Sequence, residues 1–206
     1  MSIYVGTQSN GQGHETVYAQ FLSDQSGIPV ERIDVIQGDS DRIATGGGTG
    51  GSRSVTVQNT ATLASVEKMI AQFTPLLAEK MGVSEDEVMF DDEAFRSDGS
   101  NLSFTMIEAA ELAKKEGQEQ LLTSEARITL SAQSFPNGAH LAEVEIDPDT
   151  GVVTVDRYTV VDDFGNLINP MLVAGQVHGG IAQGLGQALT ERAVFDEDGQ
   201  LLTASF

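Results

Sequence analysis

An α+β fold is predicted for this 206-residue chain by three features of its sequence. Apolar side chains recur at helical spacing along Val66, Met69, Ile70, Phe73, Leu76 and Leu77. Residues 141–146 and 152–161 read as strands around an Asp147-Pro148-Asp149-Thr150-Gly151 turn. Glycine-rich loops separate the candidate strands from the candidate helices. Together these describe two-layer units of mixed sheet with packed helices.

The elements follow in order. Residues 3–5 read as the end of a strand, and a loop runs from Gly6 to Gly13. A helix fits residues 14–26, with Val17 and Phe21 one turn apart and Gly27 and Pro29 as the stop. Residues 32–37 read as a strand. A second loop, 38–53, holds five glycines in Gly46-Gly47-Gly48-Thr49-Gly50-Gly51. A long helix is expected from Ser54 to about Lys80, with Pro75 kinking or splitting it. Residues 88–95 form a strand candidate, and Thr105 with Glu108 makes a capping box for a helix closing at Gly117. Residues 121–131 are expected to be a strand. Asn169 caps a last helix with Pro170 at its first position, running to about Arg192 or broken near Gly179-Gly180. Val194-Phe195, a turn over 196–199 and Leu201-Leu202 suggest a final hairpin. Both ends, including residues 202–206, read as cuts through a larger fold.

Composition narrows the chemistry. The chain is 40% hydrophobic and 20% charged, which suits a packed core. A net charge of −20 repels phosphate backbones, so nucleic acid is not an expected partner. No apolar run reaches the roughly 20 residues that span a bilayer, and the start lacks the features of a signal peptide, so a cytoplasmic location is expected. Cysteine is absent, which removes disulfides, thiol nucleophiles and cysteine-bound clusters from this chain. His14, His140 and His178 are far apart in sequence, so no protein-ligated metal is expected. No catalytic triad or carboxylate pair stands out.

Three segments carry candidate binding chemistry. Gly11-Gln12-Gly13-His14-Glu15-Thr16 feeds a helix N-terminus, where free N–H groups favour an anion and glycine permits close approach. An ordinary strand-to-helix turn is the alternative. Gly51-Ser52-Arg53-Ser54 offers hydroxyls, a guanidinium and a second helix start, suited to phosphate or pyrophosphate; a mobile loop with a serine cap is the alternative. The formal Gly46-x-Gly48-x-x-Gly51 match to a dinucleotide fingerprint lies too far past its strand for a Rossmann turn. In the last helix, Gly175, Gly179, Gly180, Gly184 and Gly186 oppose helix formation by about 1 kcal/mol each. Gln176, Gly180, Gln183 and Gln187 share one face, so either a polar ligand or a close-packed helix lies against it. Asp147-x-Asp149 and Asp196-x-Asp198 start like calcium loops but read as hairpin turns.

The three segments in this order resemble the C-terminal molybdopterin-binding region of the molybdenum hydroxylases, the xanthine dehydrogenase, aldehyde oxidase and carbon monoxide dehydrogenase family. The likeness runs through Val5 to Thr16, Thr49 to Ser54, Ile168-Asn169-Pro170 and Gly175 to Gly186. It implies that residues 1–206 are a partial molybdopterin-binding domain, truncated at both ends. It also implies molybdenum held by a pterin dithiolene, in bacteria usually in the cytosine dinucleotide form. By carry-over, Gly11, Gln12, Gly13 and Thr16 would meet the pterin or its phosphate, and Gly51, Ser52, Arg53 and Ser54 the pyrophosphate or nucleotide. Gln176 and Gln183 would face the pterin, with Gly180 and Gly184 allowing its approach. The resemblance implies a small-molecule substrate, an oligomer, and iron–sulfur clusters and FAD on other subunits or domains. The family's base, a glutamate in a Gly-Glu motif, is expected beyond Phe206, so the isolated piece should catalyse nothing. A free-standing nucleotide-binding or regulatory module and an acidic structural domain are the competing expectations.

Overall fold

The computed structural model describes residues 1–203, which fall into two units, Met1–Asn166 and a second that begins at Leu167. The first begins with β1 (Ser2–Val5), α1 (His14–Ser26) and β2 (Asp34–Gln37). β1 and β2 pair in parallel, Ser2 opposite Asp34 and Val5 opposite Gln37. A parallel pair needs a crossover, and α1 supplies it. Because the strands run the same way, the loops after Val5 and after Gln37 leave at the same end of the sheet.

α2 (Ser54–Met81) is the longest element. Pro75 does not split it, although its ring removes one backbone hydrogen bond. Val66, Met69, Phe73, Leu76 and Leu77 are all buried on one stripe, and burial at about 25 cal/mol per Å² outweighs the missing bond. The helix ends at Gly82, whose left-handed backbone (φ 72°) closes the last turn. The core joins this stripe to Ala19 and Leu22 of α1, Phe95, and Met106, Ala109 and Ala113 of the following helix. Phe95 meets Phe73 and Phe90 edge-on, with ring centroids 6.3 and 4.8 Å apart.

The strand expected over 88–95 is instead a hairpin of β3 (Met89–Asp91) and β4 (Ala94–Arg96), joined to β5 (Phe104–Thr105). Asp92 and Glu93 turn the chain with positive φ of 48° and 63°, a turn normally announced by glycine or asparagine. Glu93 rests on Gly27, where a Cβ would come within 2.4 Å of its own. α3 (Met106–Lys115) has the expected capping box: the Thr105 hydroxyl accepts the Glu108 N–H at 3.2 Å, and the Glu108 carboxylate accepts the Thr105 N–H at 2.8 Å. The Thr105 N–H, and after it the Thr105 hydroxyl at 2.9 Å, donate to the Glu108 carboxylate and hold its carboxyl below the ordinary value.

Residues 121–131 are not a strand. Glu119–Leu122 forms a 3₁₀ turn that sets Leu121 and Leu122 against the core. The chain then runs beside α2, where the Ser124 hydroxyl donates to the Ser65 carbonyl and Lys68 to the Glu125 carbonyl. Both bonds run through a side chain rather than through a strand ladder. β6 (Asn137–Ile146) and β7 (Val153–Asp163) then form the antiparallel hairpin, with a bulge between Glu143 and Val144. The Asp147 carboxylate accepts the N–H groups of Asp149 and Thr150, which makes this segment a turn.

The second unit is built on α4 (Pro170–Leu189), capped by Asn169 through its acceptance of the Leu172 N–H at 3.0 Å. The helix runs unbroken through all five glycines and stops short of the expected Arg192. A small hairpin follows, with Phe195 bridged to Leu201. Residues 204–206 lie outside the described residues. The α+β class is thus the observed one, the strands among the described residues divided among three small sheets.

Candidate functional site

The parallel pairing of β1 and β2 explains the site in the first unit. In open sheets of parallel strands, ligands bind beyond the carboxyl ends. Here those ends lead into the two glycine-rich loops, which are laced together. The Gly6 carbonyl accepts the N–H groups of Gly47 and Gly48, at 2.9 and 3.3 Å. The Thr49 hydroxyl donates to the Gln8 carbonyl at 2.6 Å and accepts the Gln8 N–H at 3.3 Å. Gly6 and Gly46 touch backbone to backbone: a Cβ on Gly46 would fall 2.4 Å from the Gly6 oxygen. A shallow cavity of about 220 Å³ opens between the loops, lined by Thr7, Gln8, Asp39 and Ser40 among others.

The first predicted segment sits at the start of α1. Gly11 and Gly13 take positive φ (109° and 77°), and Gly13 occupies the N-cap without a capping side chain. Gln12 is half-buried, and its amide oxygen accepts the Asn10 N–H, leaving its NH₂ to donate. Thr16 is exposed on the helix. His14 is 3% exposed, and its Nδ1 has no partner. Burial pushes the imidazole below its ordinary value, against opposing contributions from Glu15 and Gln37. The ring is therefore neutral at pH 7 and offers a hydrogen bond rather than a charge. Below it, Tyr18 packs at 5.0 Å between centroids, bonds the Thr7 hydroxyl at 2.9 Å, and has its phenol pushed up by burial.

The second predicted segment leads into α2. Gly51 and Ser52 are both left-handed, at φ 70° and 52°; for serine this is strained. Arg53, not a serine, occupies the N-cap, and no side chain caps the helix. Ser54 is its first residue. α1 and α2 are thus uncapped by side chains at this end, whereas α3 and α4 carry the caps Thr105 and Asn169. Among the described residues the exposed Arg53 guanidinium has no ion-pair partner, in a chain of net charge −20.

The structure therefore brings together the neighbours of the predicted residues more than those residues themselves. Contacts run between Gly6–Gln8 and Gly47–Thr49, and among the described residues no hydrogen bond joins 11–13 to 51–54. Tyr18 and Gln37 were missed by sequence reasoning, and Thr7 and Thr49, inside the stretches that carry the resemblance, were given no binding role. The signal that could have found them was the β–α–β order, which places the ends of β1 and β2 side by side.

The third segment lies in the second unit. Gln176, Gly180, Gln183, Gly184 and Gln187 are all exposed on α4. A Cβ at Gly175, Gly179, Gly180 or Gly184 meets no atom within 4 Å, so packing inside this unit does not explain those glycines. Val173, Val177, Ile181 and Leu185, four residues apart, make a separate, partly covered apolar stripe. Among the described residues, no group of three or more histidines and carboxylates could hold a metal. Among the described residues no helix is long and apolar enough to cross a membrane.

Comparison with known proteins agrees with this architecture. The whole of residues 1–206 matches the molybdopterin cofactor-binding domain family model. The carbon monoxide dehydrogenase large chain of Afipia carboxidovorans is 35% identical over 98% of this chain and 26% of its own length. The nicotine 6-hydroxylase large subunit of Paenarthrobacter nicotinovorans is 36% identical over 100% of this chain and 26% of its own. A crystal structure of the Cu,Mo-CO dehydrogenase superposes with a TM-score of 0.86 at 34% identity, over 99% of this chain and 26% of that one. The chain spans about a quarter of the length of the relatives it matches. It belongs to the molybdopterin cofactor-binding domain family.

Proposed function

We propose that this chain is a part of a molybdenum hydroxylase that helps to hold its molybdopterin, with binding residues on the glycine loops of the first unit and, separately, on the glutamine face of α4. The observation that carries this reading is the pair of helix N-termini without capping side chains, flanking laced glycine loops. Two helix starts with free N–H groups and an unpaired Arg53 suit the phosphates of such a cofactor. The orphaned, buried Nδ1 of His14 and the free NH₂ of Gln12 suit a polar heterocycle or phosphate edge. The residues present fit the group.

Gly11, Gln12, Gly13 and Thr16 would hold the pterin or its phosphate, and Gly51, Ser52, Arg53 and Ser54 the pyrophosphate of a cytosine dinucleotide form. Gln176 and Gln183 would bond the pterin across the bare backbone of Gly180 and Gly184. When bound, the cofactor supplies the metal centre for hydroxylation of an aldehyde or N-heterocycle, or oxidation of carbon monoxide, with water as the oxygen source. The residues of this chain bind and orient it. Iron–sulfur and flavin subunits would take the electrons, and the parent enzyme would act as a cytoplasmic oligomer.

The test uses the full-length parent enzyme. Gln12→Ala and Gln183→Ala should each lower molybdenum per protomer and the cytidine monophosphate released on acid hydrolysis. Wild-type content of both in both variants would remove the assignment. The isolated 206-residue chain should show no turnover of aldehydes or purines.

A further inference from the structure

Gln37 is the last residue of β2 and lies outside the residues assigned to the cofactor. Its amide is used at both ends. The oxygen accepts the Ser9 N–H at 2.9 Å, and the nitrogen donates to the carboxylate of Glu15 in the first turn of α1. One side chain therefore ties β2, the first loop and the helix start together. A carboxylate there could accept from Ser9 but could not donate to Glu15; it would set two negative charges in contact.

The loop's other anchors come earlier: Gly6 to Gly47 and Gly48, Thr7 to Tyr18, and Gln8 to Thr49. Beyond Ser9 the loop's bonds turn inward, with the Asn10 N–H given to the Gln12 amide and the Gly11 N–H to the Ser9 hydroxyl at 3.2 Å. Ser9 is thus the final outside tie before Gln12, and Gln37 makes it.

The geometry points to Gln37 as a positioning residue: through Ser9 and Glu15 it sets the loop conformation in which Gln12 meets the cofactor. This rests on the reading of Gln12 as a cofactor contact. Gln37→Glu, of equal size, breaks the bond to Glu15. The double variant Gln37→Glu with Glu15→Gln restores a donor facing an acceptor, with the roles exchanged.

The experiment measures molybdenum per protomer and the rate of cofactor loss on dilution of the full-length holoenzyme, with Tm alongside. Gln37→Glu should lose cofactor about tenfold faster, the effect of one charge-assisted hydrogen bond. The double variant should return near wild type. A packing role alone would not be rescued by exchanging donor and acceptor. If Gln37→Glu fails to accumulate, the uncharged Gln37→Met should fold and still lose cofactor faster. Normal retention in Gln37→Glu or Gln37→Met, or no rescue in the double variant, overturns the inference. Gln12→Ala separates the two ideas. If it loses cofactor while the Gln37 variants do not, only the positioning role fails; if neither loses cofactor, the cofactor reading fails with it.

Discussion

Gly46→Ala should open the two glycine loops without unfolding the domain. The φ of Gly46 is not in the left-handed region, so alanine is conformationally acceptable and the effect is steric. The new Cβ would lie 2.4 Å from the Gly6 oxygen and 3.0 Å from its carbonyl carbon, against an ordinary contact of 3.4–4 Å. Both neighbours are backbone, so relief requires the loops to part by about 1 Å. That displacement takes the Gly47 N–H bond to Gly6 from 2.9 to about 3.9 Å, beyond hydrogen-bonding range. The longer Gly48 bond is lost with it. Two such bonds are worth about 1–3 kcal/mol together, or roughly 5- to 150-fold in the opening equilibrium. Gly47→Ala is the control, because its Cβ would meet nothing within 4 Å and its φ is also unrestricted. The assay is hydrogen exchange over residues 44–53 of the parent protein, with molybdenum content and Tm measured on the same samples. Gly46→Ala should exchange faster and carry less molybdenum at nearly unchanged Tm, since the loop lies outside the core, while Gly47→Ala stays at wild type. Equal exchange in the two variants would refute the reasoning.

Two further predictions concern helix starts and helix glycines. Glu108→Ala should destabilise the first unit at pH 7 by about 0.5–1 kcal/mol through loss of the capping box. Because the folded carboxyl is held below its ordinary value, its contribution is full above about pH 4.3 and is lost as pH falls through the folded value. Urea titrations at pH 7 and below pH 4 should therefore show the gap between variant and wild type closing on acidification. Gly180→Ala should strengthen α4 by about 1 kcal/mol, since its Cβ meets no atom within 4 Å, yet lower cofactor content. Hydrogen exchange across residues 170–189 and molybdenum content check the two halves, and a more protected helix with full cofactor would assign the glycine to something other than cofactor approach.

Local chemistry was legible wherever it is written in a few adjacent residues. The bounds of α1, the Thr105–Glu108 box, the Asn169-Pro170 start of α4 and the Asp147 turn all follow from capping and turn rules that act within four residues. The β3–β4 hairpin was not legible because Asp92 and Glu93 adopt a turn conformation that their residue types do not advertise. Residues 121–131 have strand-like composition, but a strand needs a ladder of backbone bonds to a partner strand, and here the segment is tied to α2 through the Ser124 and Lys68 side chains instead.

The candidate site divides along the same line. Residue types and spacing by themselves determined the fold class, the glycine and glutamine segments, and the absence of cysteine or a short-spaced metal motif. Only the tertiary structure decided that β1 and β2 pair in parallel, that Gly6 lies against Gly46, and that Gln37 holds Ser9 and Glu15. Capping and turn formation are encoded over one helical turn, whereas these contacts join residues 22 to 40 positions apart. Such closures depend on the core packing that brings β1, α1, β2 and α2 together, and no local pattern records them.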